Sequence, residues 1–155
     1  VWDIFNYSPA LTFSKDIFNY NKYSTGHFLD LSVAYDFDEQ LQVPLRLYWA
    51  TIFAGRDLNS AGNNMYSTFV YGEYSVFRDE HWIVDLGLGG TFAFNRTEAD
   101  GSRNFYGTDH INQISLKTTY LLKLGRFKMP VFAHAMWNPD IRSGYLQVGV
   151  KLFAF

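Results

Sequence analysis

From Leu29 to Phe37 every second residue is apolar. Leu29, Leu31, Val33, Tyr35 and Phe37 fall in one phase, and Asp30, Ser32, Ala34 and Asp36 fall in the other. A β-strand turns successive side chains to opposite faces, so such a segment needs one apolar surface and one polar one. The pattern returns along the chain. Gln42–Phe53 sets Val43, Leu45, Leu47, Trp49 and Phe53 against Gln42, Arg46 and Tyr48, and Met65–Phe77 sets Tyr66, Val70, Tyr74 and Val76 against Ser67, Tyr71, Glu73 and Ser75. Trp82, Val84, Leu86, Leu88, Phe92 and Phe94 then oppose Asp85, Gly87, Gly89, Thr91 and Asn95. Ile114, Leu116, Tyr120 and Leu122 oppose Gln113, Ser115, Lys117 and Thr119. Phe127, Met129, Val131, Ala133, Ala135 and Trp137 oppose Lys128, Phe132 and His134. In the last segment Leu146, Val148, Val150 and Leu152 oppose Gln147, Gly149 and Lys151. With a less regular first segment at Val1–Tyr7, the pattern predicts eight strands in one domain, residues 1–155.

The connections alternate in length. Long polar ones are expected at Ser8–Gly26, Ala54–Asn64 and Arg96–Ile111, with a shorter one at Asn138–Gly144. Short ones are expected at Asp38–Leu41, Arg78–His81 and Lys123–Arg126. Alternating short turns and long loops are the habit of barrels that cross a bacterial outer membrane, and an even number of strands closes without a free edge. Pro44 and Pro130 fall near the short-turn ends of their strands, where a missing N–H does least harm.

Alternation alone does not say which face is outside. A soluble barrel of lipocalin type alternates too, with its apolar face turned inward. Here the polar phase is rich in Gly, Ser, Thr, Ala and Asn, small enough to fill a narrow cylinder. Its charges balance: Asp30, Asp36, Glu73 and Asp85 against Arg46, Lys117, Lys128 and Lys151. Such a balance suits a paired internal network, with His134 beside it. Trp49, Tyr74, Trp82, Phe94, Phe127 and Trp137 lie near the ends of the apolar stripes, where interfacial aromatic girdles sit. The expected lipid-facing set therefore includes Leu31, Val33, Leu47, Trp49, Val84, Leu86, Leu88, Leu116, Val131, Val148 and Val150.

Composition narrows the function classes. Aromatic residues make up 19% and charged ones 18% of 155 residues, and the net charge is −2, so nothing points to nucleic acid. There is no Cys, which removes disulfides and thiolate metal sites. The sequence holds no run of about 18–20 apolar residues of the kind a membrane helix needs, whereas a barrel strand crosses with about 9–11 alternating ones. The chain opens on Val1 with no basic and apolar leader, as expected of a processed or partial chain.

Several stretches carry a resemblance: GHFLDLSVAY from Gly26, PLRLYWATIFAGRD from Pro44, MYSTFV from Met65 and ISLK from Ile114. FKMPVFA from Phe127, WNP from Trp137 and GYLQVGV from Gly144 continue it. The chain resembles bacterial outer-membrane β-barrel proteins, more narrowly the small, poorly characterised barrels of Bacteroidota. That resemblance implies an antiparallel up-and-down transmembrane β-barrel in the cell outer membrane. It also implies contact with outer-membrane lipids and lipopolysaccharide, insertion by the barrel-assembly machinery, and a place for the chain in a larger outer-membrane complex. Such proteins usually carry strands ahead of the region matching Val1, which leaves open a larger barrel in the full-length protein. They also end on an aromatic or apolar residue in phase with the outward face; Leu152 is in phase, Phe153 and Phe155 are not.

Catalytic chemistry finds little footing. His134 falls mid-strand on the polar face; outer-membrane lipid A deacylases place a Ser two positions from such a His, and here that position is Met136. Asp109, His110 and His27, with Ser24 and Ser102 in loops, could assemble a triad, but no spacing demands it. Asp57, Asn59, Asp100, Ser102 and Asn104 offer oxygens to a hard cation, although turn chemistry accounts for them equally. Asn95-Arg-Thr97 reads as a chance sequon. The expectation is a non-enzymatic barrel of structural or accessory role, without metal or cofactor. A small porin-like diffusion channel is the first alternative and an outer-membrane lipid-modifying enzyme the second. A soluble ligand-binding barrel requires the faces to be inverted.

Overall fold

The computed structural model of the chain describes residues 6–8, 19, 21–24, 27–101, 103–125 and 127–151. Its strands are β1 (Asn6–Ser8), β2 (Phe28–Asp36), β3 (Leu45–Gly55), β4 (Ser67–Arg78) and β5 (Trp82–Ala93). They continue with β6 (Arg103–Asn104), β7 (Gly107–Thr108), β8 (Ile111–Leu124), β9 (Phe127–Asn138) and β10 (Ser143–Val150). Among the described residues helix is confined to single turns, α1 at Asp38–Leu41 and a 3₁₀ turn at Glu98–Asp100. The fold is all-β and antiparallel. One sheet runs β1-β2-β3-β4-β5-β8-β9-β10, so each strand pairs with its chain neighbour except where β5 passes to β8, and β6-β7 form a separate hairpin. Among the described residues this ladder is open, with β1 and β10 as its edges.

The expected strands are found within about two residues at most ends. The first expected segment, Val1–Tyr7, is described only from Asn6, and Leu152, Phe153 and Phe155 lie outside the described residues. Two of the expected connections carry structure of their own. The short one at Asp38–Leu41 is a helical turn, entered by the Asp36 carboxylate accepting the Asp38 N–H and left through Gln42 at φ 55°. The long one at Arg96–Ile111 is not irregular throughout, since β6 and β7 pair within it, Arg103 with Thr108 and Asn104 with Gly107.

Local chemistry explains the turns. Between β4 and β5 the Asp79 carboxylate accepts the N–H groups of His81 and Trp82, both at 2.7 Å, an Asx turn. It is fully exposed, and these two backbone donors hold its pKa below the usual carboxylate range. Leu124 pairs with Phe127, so β8 and β9 are joined by two residues, the first of them Gly125 at φ 62°. At the end of β9, Asn138 Oδ1 accepts the N–H groups of Asp140 and Ile141.

Burial follows the two-residue period but with chemistry reversed from that of a water-soluble core. Among the described residues, the buried hydrophobic side chains are Ala50, Ile52 and Met65 alone, against thirteen buried polar or charged ones. Among the described residues large hydrophobic side chains are exposed at 26 positions. On β5 the buried set is Asp85, Gly87, Gly89 and Thr91, while Trp82, Leu86, Leu88 and Phe92 are exposed. The polar phase is the interior one.

The chain resolves into two compact units, each gathered from three separate stretches, so neither is a contiguous domain. The first takes Val1–Tyr35, Tyr48–Val70 and Gly90–His110; the second takes Asp36–Leu47, Tyr71–Gly89 and Ile111–Phe155.

Candidate functional site

In the second unit a cavity of about 600 Å³ is lined by side chains from all seven long strands, from Asp36 on β2 to Gln147 on β10. Each strand contributes because its polar phase faces inward, and successive inward residues recur at a two-residue step. The lining holds Asp36, Asp38, Glu73 and Asp85 against Arg46, Arg78, Lys117 and Lys151, four charges of each sign.

These groups form a chain of alternating charge. Arg46 Nη2 lies 2.8 Å from Asp36 Oδ2, and its Nη1 lies 3.9 Å from Glu73 Oε1. Glu73 Oε1 is 3.8 Å from Lys117 Nζ, which is 3.9 Å from Asp85 Oδ2. Asp85 also accepts the Ser75 hydroxyl at 2.5 Å. At the edge of the cavity Arg78 pairs with Asp38. Exposure grades the chain: the Asp85 and Glu73 side chains are 8% and 13% exposed, that of Arg46 is 55%. Near 4 Å an ion pair gains roughly 4 kcal/mol of Coulomb attraction at an effective dielectric of 20, and desolvation takes back much of it. Removing one buried partner is therefore worse than removing a matched pair.

Beside this chain Tyr71 on β4 reaches across β5 to Ser115 on β8, hydroxyl to hydroxyl at 2.8 Å, and its hydroxyl also donates to Glu73 Oε2 at 3.2 Å. The crossing is possible because the intervening residue is Gly87. A Cβ there would stand 2.1 Å from the Tyr71 hydroxyl oxygen and 2.3 Å from Ser115 Oγ.

Of the residues expected to share one charged lumen, Asp36, Arg46, Glu73, Asp85 and Lys117 are joined, and His134 and Lys151 line the same cavity. Two of the expected residues stand apart from it. Lys128 is exposed and absent from the lining; at the second residue of β9 it lies beside the turn, and no carboxylate among the described residues pairs with it. Asp30 is buried in the first unit and does not line this cavity. Alternation puts Ser75, Tyr71, Ser115 and Gln147 on the polar face, but that they and Asp38 and Arg78 meet here follows from strand register. Of the expected lipid-facing residues, Leu31, Leu47, Trp49, Leu86, Leu88, Leu116, Val148 and Val150 are exposed and Val33, Val84 and Val131 half-buried. Val150, on the open edge, also borders the cavity.

The first unit holds the loop residues. The buried Asp57 carboxylate accepts the Ser67 N–H at 2.8 Å and the Ser67 hydroxyl at 2.7 Å. Burial pushes its pKa up, and the two Ser67 donors pull it partly back. Asn59 Oδ1 accepts the N–H groups of Ala61 and Asn63. Asn104 donates to Asp109 and accepts the Tyr106 N–H. These are turn and loop bonds, and no group of three or more acidic, His or Cys ligands occurs among the described residues. Of the triad candidates, Asp109 pairs with Arg96 at 2.5 Å, His110 Nε2 with Thr108, and Ser24 with Asn19, while Ser102 lies outside the described residues. Met136 shares the face of His134 on β9. Gly55, at φ 104°, lets the chain close against β2: a Cβ there would lie 2.2 Å from the His27 carbonyl oxygen, which accepts the Arg56 N–H. Arg56 then stacks on Phe105, 4.7 Å from its centroid, and Phe28 packs on the same ring at 4.9 Å.

Comparison with family models, with curated proteins and with solved structures finds no match to this chain.

Proposed function

We propose that the chain is an integral β-barrel of the bacterial outer membrane, antiparallel and up-and-down, with about eight strands in these 155 residues and a structural or accessory role. The observation that carries the reading is the reversed burial: among the described residues, polar side chains inside and 26 large hydrophobic ones exposed. Water-soluble monomers rarely expose contiguous apolar patches beyond a few hundred Å². A soluble barrel with an apolar interior requires the opposite arrangement.

Two further observations support it. Lining residues from β2 and β10, near opposite ends of the ladder, face one cavity, as in a sheet curled toward closure. Along β5, exposed Trp82 packs on Tyr120 at one end, and exposed Phe92 meets Phe94 at the other. Ten residues of strand span about 33 Å, or about 25 Å across a membrane at a 40° tilt, matching the apolar band between aromatic girdles. Outer-membrane lipids and lipopolysaccharide would surround the apolar face. The barrel-assembly machinery would insert it, and the bonded loops of the first unit would offer a surface to a larger complex.

Refolding from urea into lipid vesicles tests the reading. The folded chain is expected to co-float with the vesicles, resist carbonate extraction and migrate differently in unboiled gels. A detergent-free monomer in a soluble extract refutes it. A small diffusion channel is the second reading, favoured by the charged cavity. Stepwise conductance in a planar bilayer would select it, and an insulating bilayer would select the structural role.

A further inference from the structure

We propose that the β6–β7 hairpin is an internal plug: its tip, Phe105 and Tyr106, is inserted among the inward side chains of the first unit and keeps hydrated solutes out of that interior. That consequence rests on the barrel reading, whereas the contacts stand without it.

The tip has the wrong chemistry for a loop in water. Asn104 pairs with Gly107, so β6 and β7 are joined by Phe105 and Tyr106 alone. Two-residue turns that face solvent favour Asn, Asp and Gly. Two adjacent aromatic rings need an apolar place instead, and they find it on the face that the two-residue period turns inward. Phe28, in phase with buried Asp30 and Ser32 on β2, meets the Phe105 ring at 4.9 Å. Phe69, in phase with buried Ser67 on β4, meets the Tyr106 ring at 6.1 Å, and Tyr48 of β3 meets Phe69 at the same distance. All of these residues belong to the first unit.

Hydrogen bonds fix the insertion. The Phe105 N–H donates at 2.9 Å to Ser67 Oγ, a fully buried hydroxyl that itself donates to Asp57. Thr91 on β5, also buried, donates its hydroxyl to the Thr108 carbonyl at 2.6 Å. Strands β2, β4 and β5 thus each supply an inward side chain to a hairpin that lies outside their sheet. Asn104 braces the turn, accepting the Tyr106 N–H and donating to Asp109, which pairs with Arg96. Burial first, then the charge of Asp30, push the Tyr106 hydroxyl above the ordinary phenol range, so it stays neutral. The exposed Arg56 guanidinium lies 4.7 Å from the Phe105 centroid and 5.5 Å from that of Phe28, covering both rings.

Cysteine reactivity tests the plug, because the chain has no native cysteine. Ala50→Cys adds one sulfur atom at a buried inward position of β3. It should react with a charged, water-soluble methanethiosulfonate at least tenfold faster once Phe105→Ala and Tyr106→Ala are combined. Ser60→Cys, on an exposed loop position, should react at one rate in both backgrounds, and Phe105→Leu with Tyr106→Phe should keep Ala50→Cys slow. Hydrogen exchange on the unaltered chain decides the matter if the double alanine variant does not fold. The Phe105 and Tyr106 amides, both bonded to side chains, should exchange at least a hundredfold slower than in an unstructured peptide of the same sequence. Both readouts use the folded chain whether or not it floats with vesicles, so the plug and the membrane reading fail separately. Ala50→Cys reacting as fast as Ser60→Cys with the hairpin intact, no acceleration when the rings are removed, or unprotected tip amides overturns the proposal.

Discussion

Gly87→Ala adds one methyl group at a point where the interior has no room for it. The backbone there is not in the left-handed region, so Ala is conformationally allowed and the contact alone decides the outcome. The methyl carbon would lie 2.1 Å from the Tyr71 hydroxyl oxygen, 2.6 Å from its ring carbon and 2.3 Å from Ser115 Oγ. Ordinary contact needs more than 3.4 Å, so Tyr71 must withdraw by over 1 Å. That breaks its 2.8 Å bond to Ser115 and its 3.2 Å bond to Glu73. Two such bonds are worth about 0.5–1.5 kcal/mol each. Displacing a packed ring adds about 1 kcal/mol or more, and the lower unfolded-state entropy of Ala returns about 0.5–1 kcal/mol. The expected loss is about 2–3 kcal/mol by this sum. Gly72→Ala is the control, because a Cβ there meets only Leu47 Cδ2 at 3.4 Å, and it should change stability by under about 1 kcal/mol. Urea unfolding in lipid vesicles, followed by tryptophan fluorescence, measures both. In a Tyr71→Ala background the cost of Gly87→Ala should shrink to what turning the Ser115 hydroxyl aside requires. Equal costs for the two glycines, or additivity with Tyr71→Ala, would refute the bridging account.

Leu86→Arg puts a cation on the exposed apolar phase and should cost about 2–4 kcal/mol of insertion if that face meets the bilayer midplane; wild-type yield in vesicle flotation would count against the orientation. Lys117→Met should destabilise more than Arg46→Met, by about 1 kcal/mol or more in urea unfolding, because it takes the paired cation from the buried Asp85 and leaves Glu73 with Arg46 alone, whereas Arg46 is half in solvent. The reverse order would contradict the graded network. Asp79 is held below its ordinary pKa by backbone donors, so its stabilising contribution is present above the unfolded value near 4 and fades as pH falls through the folded one. Wild type and Asp79→Ala should accordingly differ at pH 7 and converge on acidification, and a gap that persists at pH 2 would assign the effect to something other than the carboxylate.

How much of this was legible differs between elements and site. The β5 segment could be placed from alternation alone, because a strand's two faces are set by one period and need no partner. Its buried residues Asp85, Gly87, Gly89 and Thr91 are those of the polar phase. The loop carrying β6 and β7 was not legible, since a pair of two-residue strands is too short to show a period and depends on bonds such as Asn104 to Asp109.

What the sequence alone determined is the local part: where strands run, which phase is apolar, and that the polar phase carries balanced charge. Tertiary structure decided which charges meet. Asp30 and Asp36 stand six residues apart in the same phase, yet only Asp36 joins Arg46, and Lys128 falls beside a turn while Lys117 enters the cavity. Tyr71 and Ser115 are 44 residues apart and meet only because the strand between them offers a glycine. Face is a property of one strand. Contact is a property of register between strands, and register is set by pairing and turns that no single segment encodes.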